Sequence, residues 1–487
     1  MPVLIRIAFR NLIEHKSKTL IIGGLLALGV AILIVGNSFM DTAAQGVKDT
    51  FTANYTGDIF ISGRAKGTVS LFGVQAAGGQ EDTPILPYRD KIEAKLASMR
   101  DVSGYTGQVS GFGIASVSDS DEQSFTLLFG IQPDSYRKLF SEATINQGHF
   151  LSGDEEGLII SQATLDRFNK SFKRTLKIGD TITLTSMGKS GFKIRTVPIA
   201  GVISYKVDSS ANDYISYVDV NTLRLINGLT VGGDEDTVIS DDQKALLSAS
   251  DEDAMFGSET LVHDNGGSAQ AAEAAAAASA APKKLKAAVA DPGAWQFELV
   301  RVKNPLRTQR VVSELNAWFA ANKIDAQAGD WKAAAGPFSQ SIDVIRIVFD
   351  IAIIIIAVVA IIIMMNTLVI SVMERTGEIG TMRALGAQKG FVRSMFFIET
   401  LSIALVFGCI GTLLAFATVG ILNACNIQAT NDFFKILFAG KTLHTAVNPV
   451  SILSSLVLMV LTAVIAHLYP VSLALKIEPV TAMQTAE

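Results

Sequence analysis

Long apolar windows alternate with mixed, polar ones along this chain. Four windows contain no Asp, Glu, Lys or Arg, and each reaches the roughly 20 helical residues that a bilayer requires. They lie at 19–40, 351–373, 400–431 and 442–475. The long stretch between the first and the second window has the mixed composition of a water-exposed domain. The pattern predicts an α-helical membrane protein with four transmembrane helices, one plus three, and a large α+β extracytoplasmic domain inserted between the first and second.

The predicted segments follow from these windows and from the charges that border them. In chain order they are an N-terminal cytoplasmic segment at 1–18, transmembrane helices at 19–40, 342–373, 394–424 and 449–470, the α+β domain at 41–341, a cytoplasmic segment at 374–393, an extracytoplasmic loop at 425–448 and a cytoplasmic tail at 471–487.

Basic residues near the apolar windows set the expected orientation. The N-terminal segment carries four basic residues against one acid, Glu14, and the segment after the second span carries four more. Because short loops rich in Lys and Arg stay in the cytoplasm, we expect both segments there, with both termini cytoplasmic and the large domain on the opposite side. The basic residues are Arg6, Arg10, Lys16, Lys18, Arg375, Arg383, Lys389 and Arg393.

The large domain combines two kinds of periodicity. Apolar and polar residues alternate at 124–131, 157–161, 181–186 and 197–204, which predicts strands, whereas helical spacing appears at 87–99, 164–172 and 307–324. Residues 63–80 are rich in glycine and predict a loop. Residues 232–290 are first acidic and then Ala-rich, which predicts a mobile insertion.

Catalytic signatures are missing from the sequence. MGKS at 187–190 and AGKT at 439–442 resemble the end of a phosphate-binding loop, but the earlier glycine of that motif is replaced by Thr183 and Lys435. There is no HExxH, no paired cysteine motif and no GxSxG. His467 lies inside the fourth span, and we expect it to bond to a neighbouring helix rather than to relay protons. We therefore predict that the protein is not an enzyme and has no cofactor or metal of its own. We expect membrane lipids among its partners and no nucleic acid.

The charged stretch MERTGEIGTMRALGAQKG, residues 373–390, follows the second apolar window directly. Its residues 376–385 predict a short helix that ends at Gly386. Ile379, Met382 and Leu385 recur every three residues and form a narrow apolar ridge beside Arg383. Such a helix either lies flat on the lipid surface or inserts into a groove of a cytoplasmic partner, and the periodicity alone does not choose between them.

The extended stretch MERTGEIGTMRALGAQKGFVRSMFFIET resembles the signature of the MacB/FtsX/LolC–LolE superfamily of ABC transporter permeases. IAFRNLIEHKSKTL at 7–20 resembles the amphipathic entry helix of that family, and YPVSLALKIEPVTAM at 469–483 resembles its closing segment. GHFLSGDEEGLIISQATLDRF with KIGDTITL resembles its MacB-like periplasmic core domain. The matching positions of the first stretch are Glu374, Arg375, Glu378, Ile379, Gly380, Ala384, Leu385, Gly386 and Ala387.

This resemblance implies a permease in the bacterial inner membrane that lacks its own nucleotide-binding domain. Two copies of a separate ABC ATPase subunit would hold ATP and Mg, and a second permease copy or a homologous permease would complete the complex. The cargo would be a periplasmic lipoprotein or peptide, so that the task is lipoprotein release or substrate export by mechanotransmission.

The residues that the resemblance assigns to ATPase coupling lie in the 374–393 segment. They are Glu374, Arg375, Glu378, Ile379, Met382, Arg383, Leu385 and Gly386. The family offers one alternative function, in which an FtsX-like regulator transmits the state of the ATPase to a cell-wall hydrolase. The exported domain of such members is usually much smaller than this one.

Overall fold

The structure is a computed structural model that describes residues 16–76, 79–118, 120–141, 143–188, 191–205, 213–231, 289–431, 434–435, 438 and 440–475. Most of the predicted entry helix at 1–18, nearly all of the insertion at 232–290 and the tail beyond residue 475 therefore lie outside the described residues. The structure describes eleven α-helices there: α1 Lys16–Phe51, α2 Arg89–Ser98, α3 Pro133–Leu139, α4 Gln162–Phe172, α5 Val220–Ile226, α6 Thr308–Ala321, α7 Trp331–Ala335, α8 Pro337–Glu374, α9 Thr376–Ala384, α10 Lys389–Ala424 and α11 Pro449–Ala474.

Fifteen strands are described, and all of them lie between α1 and α8. They are β1 Ile59–Gly63, β2 Thr68–Ser70, β3 Gly73–Ala76, β4 Gly79–Glu81, β5 Val102–Ser116, β6 Gln123–Ile131, β7 Thr144–Gly148, β8 Leu158–Ser161, β9 Thr181–Gly188, β10 Gly191–Ser204, β11 Ile215–Asp219, β12 Thr230–Val231, β13 Val289–Ala290, β14 Phe297–Val302 and β15 Ala326–Asp330. Strands and helices alternate irregularly, which confirms the predicted α+β class.

Four of the described helices, α1, α8, α10 and α11, are long and apolar enough to cross a membrane. They pack side by side through a shared apolar core that includes Val30 and Ile34 of α1, Met364 of α8 and Ala404 of α10. The contact between α1 and α10 is close, because a Cβ atom at Gly411 would lie 2.5 Å from the backbone oxygen of Ala27. These four helices are called the helical bundle below.

The α+β domain, residues 57–336, is built on one large mixed sheet. Its strand order is β15–β1–β14–β5–β6–β11–β8–β10–β7, and β9 pairs with both β10 and β5. The double pairing of β9 closes β5, β6, β11, β8, β10 and β9 into a ring. Residues 63–80, predicted as a loop, instead contain β2, β3 and β4, which form a separate three-stranded sheet.

Two helices of the bundle continue into the α+β domain. α1 extends to Phe51 and then forms a wider π-helical turn at Thr52–Thr56. Phe51 and Tyr55 are fully buried there, in a core that also contains Phe129 and Tyr217 of the large sheet. On the other side, Ile342 of α8 belongs to the same core, and Gly336, with a φ of +49°, separates α8 from α7. Both long helices therefore extend from the bundle into the core of the α+β domain.

Candidate coupling site

The short helix α9 lies between the ends of α8 and α10, where the sequence predicts the coupling segment. α8 ends at Glu374, Arg375 separates the two helices, and α9 runs over Thr376–Ala384. Gly386 follows with a φ of +97°, and the Ala387 amide donates to the Met382 carbonyl over 3.0 Å. This is the left-handed ending that favours glycine, so the predicted stop at Gly386 is confirmed.

Apolar contacts fix α9 to three helices of the bundle. Ile379 is only 1% exposed, and Met382 packs beside it. The side chains that surround Ile379 come from the end of α8, the first turns of α10 and the last turn of α11: Val372, Val392, Met395, Phe396, Val471 and Ala474. Burying these groups away from water holds the short helix in place.

Polar contacts reinforce this attachment. The guanidinium Nη1 of Arg375 lies 3.1 Å from Oε1 and 3.2 Å from Oε2 of Glu399 on α10, and both side chains are largely buried. Arg375 also lies 3.9 Å from the exposed carboxylate of Glu378. Arg383 donates to the backbone oxygen of Leu475, directly after α11, over 3.4 Å. The charges at 375 and 383 therefore tie α9 to its neighbours.

The outward face of α9 has a different composition from the predicted ridge. Ile379 is covered by the protein itself and Met382 is half-buried, so these two cannot form a single exposed stripe with Leu385. The exposed residues on and beside α9 include Met373, Glu374, Glu378, Thr381, Ala384 and Leu385, with Glu378 at 70% and Leu385 at 85% exposure. The exposed surface here therefore carries two carboxylates together with apolar side chains.

The structure therefore divides the eight predicted coupling residues into two groups. Arg375, Ile379, Met382 and Arg383 face the bundle, and Gly386 shapes the end of the helix. Glu374, Glu378 and Leu385 face outward. Sequence reasoning did not include Glu399, although a carboxylate at the border of an apolar segment is a recognisable sign of a buried partner.

The C-terminal end of α1, at the α+β domain, is bound by groups that no sequence pattern indicated. The backbone oxygen of Asn54 accepts from the Tyr136 hydroxyl over 2.9 Å and from the Tyr217 hydroxyl over 3.3 Å. Arg301 donates to the Thr52 oxygen over 2.9 Å. Since the last carbonyls of a helix lack intrahelical partners, these donors satisfy the end of α1 and fasten it to the α+β domain.

A second link joins the helices where they enter the α+β domain. Asp41 of α1 lies 3.1 Å from Nη2 of Arg346 on α8, and its other oxygen accepts from the Ser451 hydroxyl of α11. Three helices thus meet at one carboxylate.

At the other end of the bundle, His467 of α11 is buried and lies 3.3 Å from the Thr400 hydroxyl of α10, as expected for a histidine that bonds to a neighbouring helix.

The described residues contain no group of three or more His, Cys, Asp or Glu side chains that could hold a metal ion. A short helix, fixed to three long ones, presents a small acidic and apolar face at one end of the bundle. Two of the long helices continue at their other ends into a folded domain.

Comparison with known proteins gives matches along most of the chain. Residues 20–290 match the model of the MacB-like periplasmic core domain, and residues 351–479 match the C-terminal region of FtsX-like permeases. The first match alone covers more than half of the 487 residues. The second contains α9 and all of its partners named above.

Three curated relatives agree with these models. The lipoprotein-releasing system transmembrane protein LolC of Haemophilus influenzae is 30% identical over 173 residues, 36% of this chain and 41% of LolC. LolE of the same organism is 25% identical over 328 residues, 62% of this chain and 76% of LolE. The macrolide export ATP-binding/permease protein MacB of Psychrobacter cryohalolentis is 31% identical over 119 residues, 24% of this chain and 16% of MacB.

The matches to LolC and MacB thus span less than half of those relatives, whereas the match to LolE spans three quarters of it. The two family models together cover most of the α+β domain and of the bundle, and all of α9, whereas residues 291–350 lie outside both. The chain belongs to the MacB/FtsX/LolC–LolE superfamily of ABC transporter permeases.

Proposed function

We propose that this chain is a permease subunit that couples ATP hydrolysis by a separate ATPase subunit to mechanical work in its α+β domain. The observation that carries the proposal is the position of α9. Its inward face is held by Arg375–Glu399 and by the buried Ile379, while Glu378 and Leu385 remain exposed. A partner that pushes on the exposed face therefore moves the ends of α8, α10 and α11 together.

The bundle offers a direct route from α9 to the α+β domain. At 1.5 Å per residue, the 38 residues of α8 extend over about 57 Å without interruption. α1 packs against α10 at Gly411 and reaches the core of the α+β domain through Phe51 and Tyr55. A displacement at α9 would reach the domain along both α8 and α1, and the Asp41–Arg346 pair would couple the movements of these two helices.

The partners and location of the complex follow from the family. We expect two ATPase subunits with ATP and Mg, and a second permease copy or a homologous permease. The complex would sit in the bacterial inner membrane with the α+β domain in the periplasm and both termini in the cytoplasm. Exposed Lys389 at the start of α10 agrees with a cytoplasmic position for α9.

The names of the relatives indicate two kinds of cargo. LolC and LolE are named for lipoprotein release, and MacB is named for macrolide export. We propose one of these two kinds of task, release of a periplasmic lipoprotein or export of a substrate. The long match to LolE and the large α+β domain support these tasks over the regulation of a cell-wall hydrolase.

The test compares ATP hydrolysis by complexes that carry altered α9 faces. The permease is purified in mild detergent, every associated chain is identified, and ATP hydrolysis by the complex is compared with that of the ATPase alone. The double variant E378Q/L385A removes the exposed carboxylate and the apolar side chain. We expect it to weaken ATPase association by about tenfold or more, since central interface side chains carry most of the binding energy.

The matched control, E122Q/L306A, removes one exposed carboxylate and one exposed leucine from the α+β domain. It should bind the ATPase as the unaltered chain does. Equal association and equal hydrolysis in both double variants would refute the coupling role of α9. Purification of a permease without any ATPase would refute the proposal as a whole.

A further inference from the structure

The α+β domain contains a cleft of about 890 Å³. It lies between the turn that joins β2 to β3 and the outward face of the large sheet, near the start of β6 and the end of α5. Clefts of roughly 300–1,000 Å³ are the size of sites that enclose drug-sized molecules. The cleft borders the junction with the bundle, because Phe72 in its lining contacts the rings of Phe51 on α1 and Phe338 on α8, with centroids 6.0 and 5.2 Å away.

One wall of the cleft is aromatic and open to solvent. Phe112 of β5 and Phe125 of β6 are 42% and 48% exposed, and both line the cleft. Phe112 pairs with Leu127 across the two strands, and Phe72 also lines the cleft. Contiguous apolar surface of this kind is uncommon on a water-exposed domain and marks a place where another molecule binds.

The floor of the cleft is polar and already ordered. The Ser110 amide donates to Oε1 of Gln296 over 2.8 Å, and Asn227 donates to the Ser110 oxygen over 2.9 Å. The fully buried Gln108 donates to the Ser110 hydroxyl over 3.1 Å. The side-chain oxygen Oε1 of Gln108 has no hydrogen-bond partner among the described residues. A few fixed polar groups below an apolar wall are typical of a site that orients an amphipathic ligand.

The described part of the rim has more acidic than basic side chains. Glu81 and Asp82 line the cleft, and Lys193 is the single basic residue among its described lining residues. Two carboxylates against one ammonium group attract a positively charged molecule. The carboxylates lie on the chain segment that covers the aromatic wall, and this segment is held by a 2.6 Å hydrogen bond from the Leu86 amide to the Trp295 oxygen.

We propose that this cleft binds a drug-sized amphipathic molecule with a positive charge, its apolar part against Phe112 and Phe125 and its charged group towards Glu81 and Asp82. The inference rests on the proposed function for its meaning, since it names the class of substrate that the permease would handle. Binding itself requires neither ATP nor the ATPase subunit.

The test measures binding to the full chain in lipid nanodiscs by fluorescence anisotropy. The probe is rhodamine 6G, a cationic aromatic amphiphile, and carboxyfluorescein supplies a related ring system with negative charge. Empty nanodiscs give the contribution of lipid. We expect saturable binding of rhodamine 6G above that background, and weaker binding of carboxyfluorescein by about tenfold or more.

Two variants separate the roles of the wall and the rim. F112A/F125A should weaken rhodamine 6G binding by about tenfold or more, because both aromatic contacts are lost. E81Q/D82N should reduce the preference for rhodamine 6G over carboxyfluorescein by about fivefold while the aromatic wall is kept. The control, I114A/I194A, removes exposed apolar side chains from the same sheet face outside the cleft and should bind as the unaltered chain does.

Three results would overturn the inference. The first is binding of rhodamine 6G no greater than that of empty nanodiscs. The second is an equal affinity for carboxyfluorescein. The third is an equal loss in I114A/I194A and F112A/F125A, which would assign the sheet face to a protein partner or to lipid. A failed ATPase measurement would leave all three results unaffected, so the two proposals fail separately.

Discussion

Arg375, the residue between α8 and α9, forms a largely buried ion pair with Glu399 of α10. Its Nη1 lies within 3.2 Å of both carboxylate oxygens. Glu399→Ala leaves the arginine charge without its partner, and we expect a loss of about 3–5 kcal/mol in the free energy of unfolding. Thermal unfolding of the purified permease in nanodiscs measures the loss.

Glu378→Ala is the matched control for this pair. Its exposed carboxylate lies 3.9 Å from the same arginine, so its removal should cost less than about 1 kcal/mol. Equal destabilisation by the two substitutions would show that the pair with Glu399 does not anchor α9.

The Tyr136 hydroxyl is expected to stabilise the junction between α1 and the α+β domain. Tyr136→Phe removes the donor to the buried Asn54 oxygen and should lower the free energy of unfolding by about 1–2 kcal/mol. The exposed Tyr88 provides the control, since Tyr88→Phe removes a hydroxyl from the surface of the same domain. An unfolding midpoint for Tyr136→Phe that matches that of Tyr88→Phe would refute this role.

Glu298 is expected to make the stability of the α+β domain depend on pH. Its carboxylate is fully buried, and burial raises its pKa to about 7 although Arg89 lies 2.7 Å away and opposes the shift. Between its unfolded value near 4.5 and about 7, the folded state keeps a proton that the unfolded state has lost. Stability should therefore fall as pH rises through this window, by up to about 3 kcal/mol, and then level off.

Glu298→Gln keeps a side chain of similar shape that does not titrate. In this variant the free energy of unfolding should depend less on pH between pH 5 and pH 8, because the contribution of the carboxylate is lost. Chemical unfolding monitored across this range makes the comparison. An unchanged slope in the variant would mean that another group is responsible.

Much of the architecture could be predicted from the sequence because the relevant signals are local. A long window without charged residues predicts an apolar helix, whichever elements pack against it. Gly386 ends α9 through its own backbone conformation. The alternation at 124–131 and 181–186 likewise predicts β6 and β9. Each of these features is decided within a few residues.

The longest strand was missed because its glycines interrupt the alternation. β5 contains Gly107 and Gly111 at positions where a Cβ atom would crowd other side chains. A Cβ atom at Gly107 would lie 2.6 Å from both Arg89 and Trp295, and one at Gly111 would lie 2.6 Å from Asn227. These residues are distant in sequence, so the glycines look like turn signals until the contacts are known. The glycines at 63–80 likewise predict a loop, whereas the structure has β2, β3 and β4 there.

The coupling site illustrates the same limit. The spacing of Ile379, Met382 and Leu385 places them near one another on a helix, but it does not say what covers them. The bundle covers Ile379, and the helix ends before Leu385. Glu399 is 24 residues from Arg375, so their pairing follows only from the way in which α9 folds back against α10.

The central claim is that the exposed face of α9 contacts the ATPase subunit. Photo-crosslinking tests it most directly, with benzoylphenylalanine placed at Leu385 and, as the control, at the exposed Leu306 of the α+β domain. In the intact complex we predict a crosslink from position 385 to the ATPase chain and none from position 306. Crosslinks from position 385 to lipid alone would contradict the account, because α9 would then lie on the membrane surface instead of against a partner.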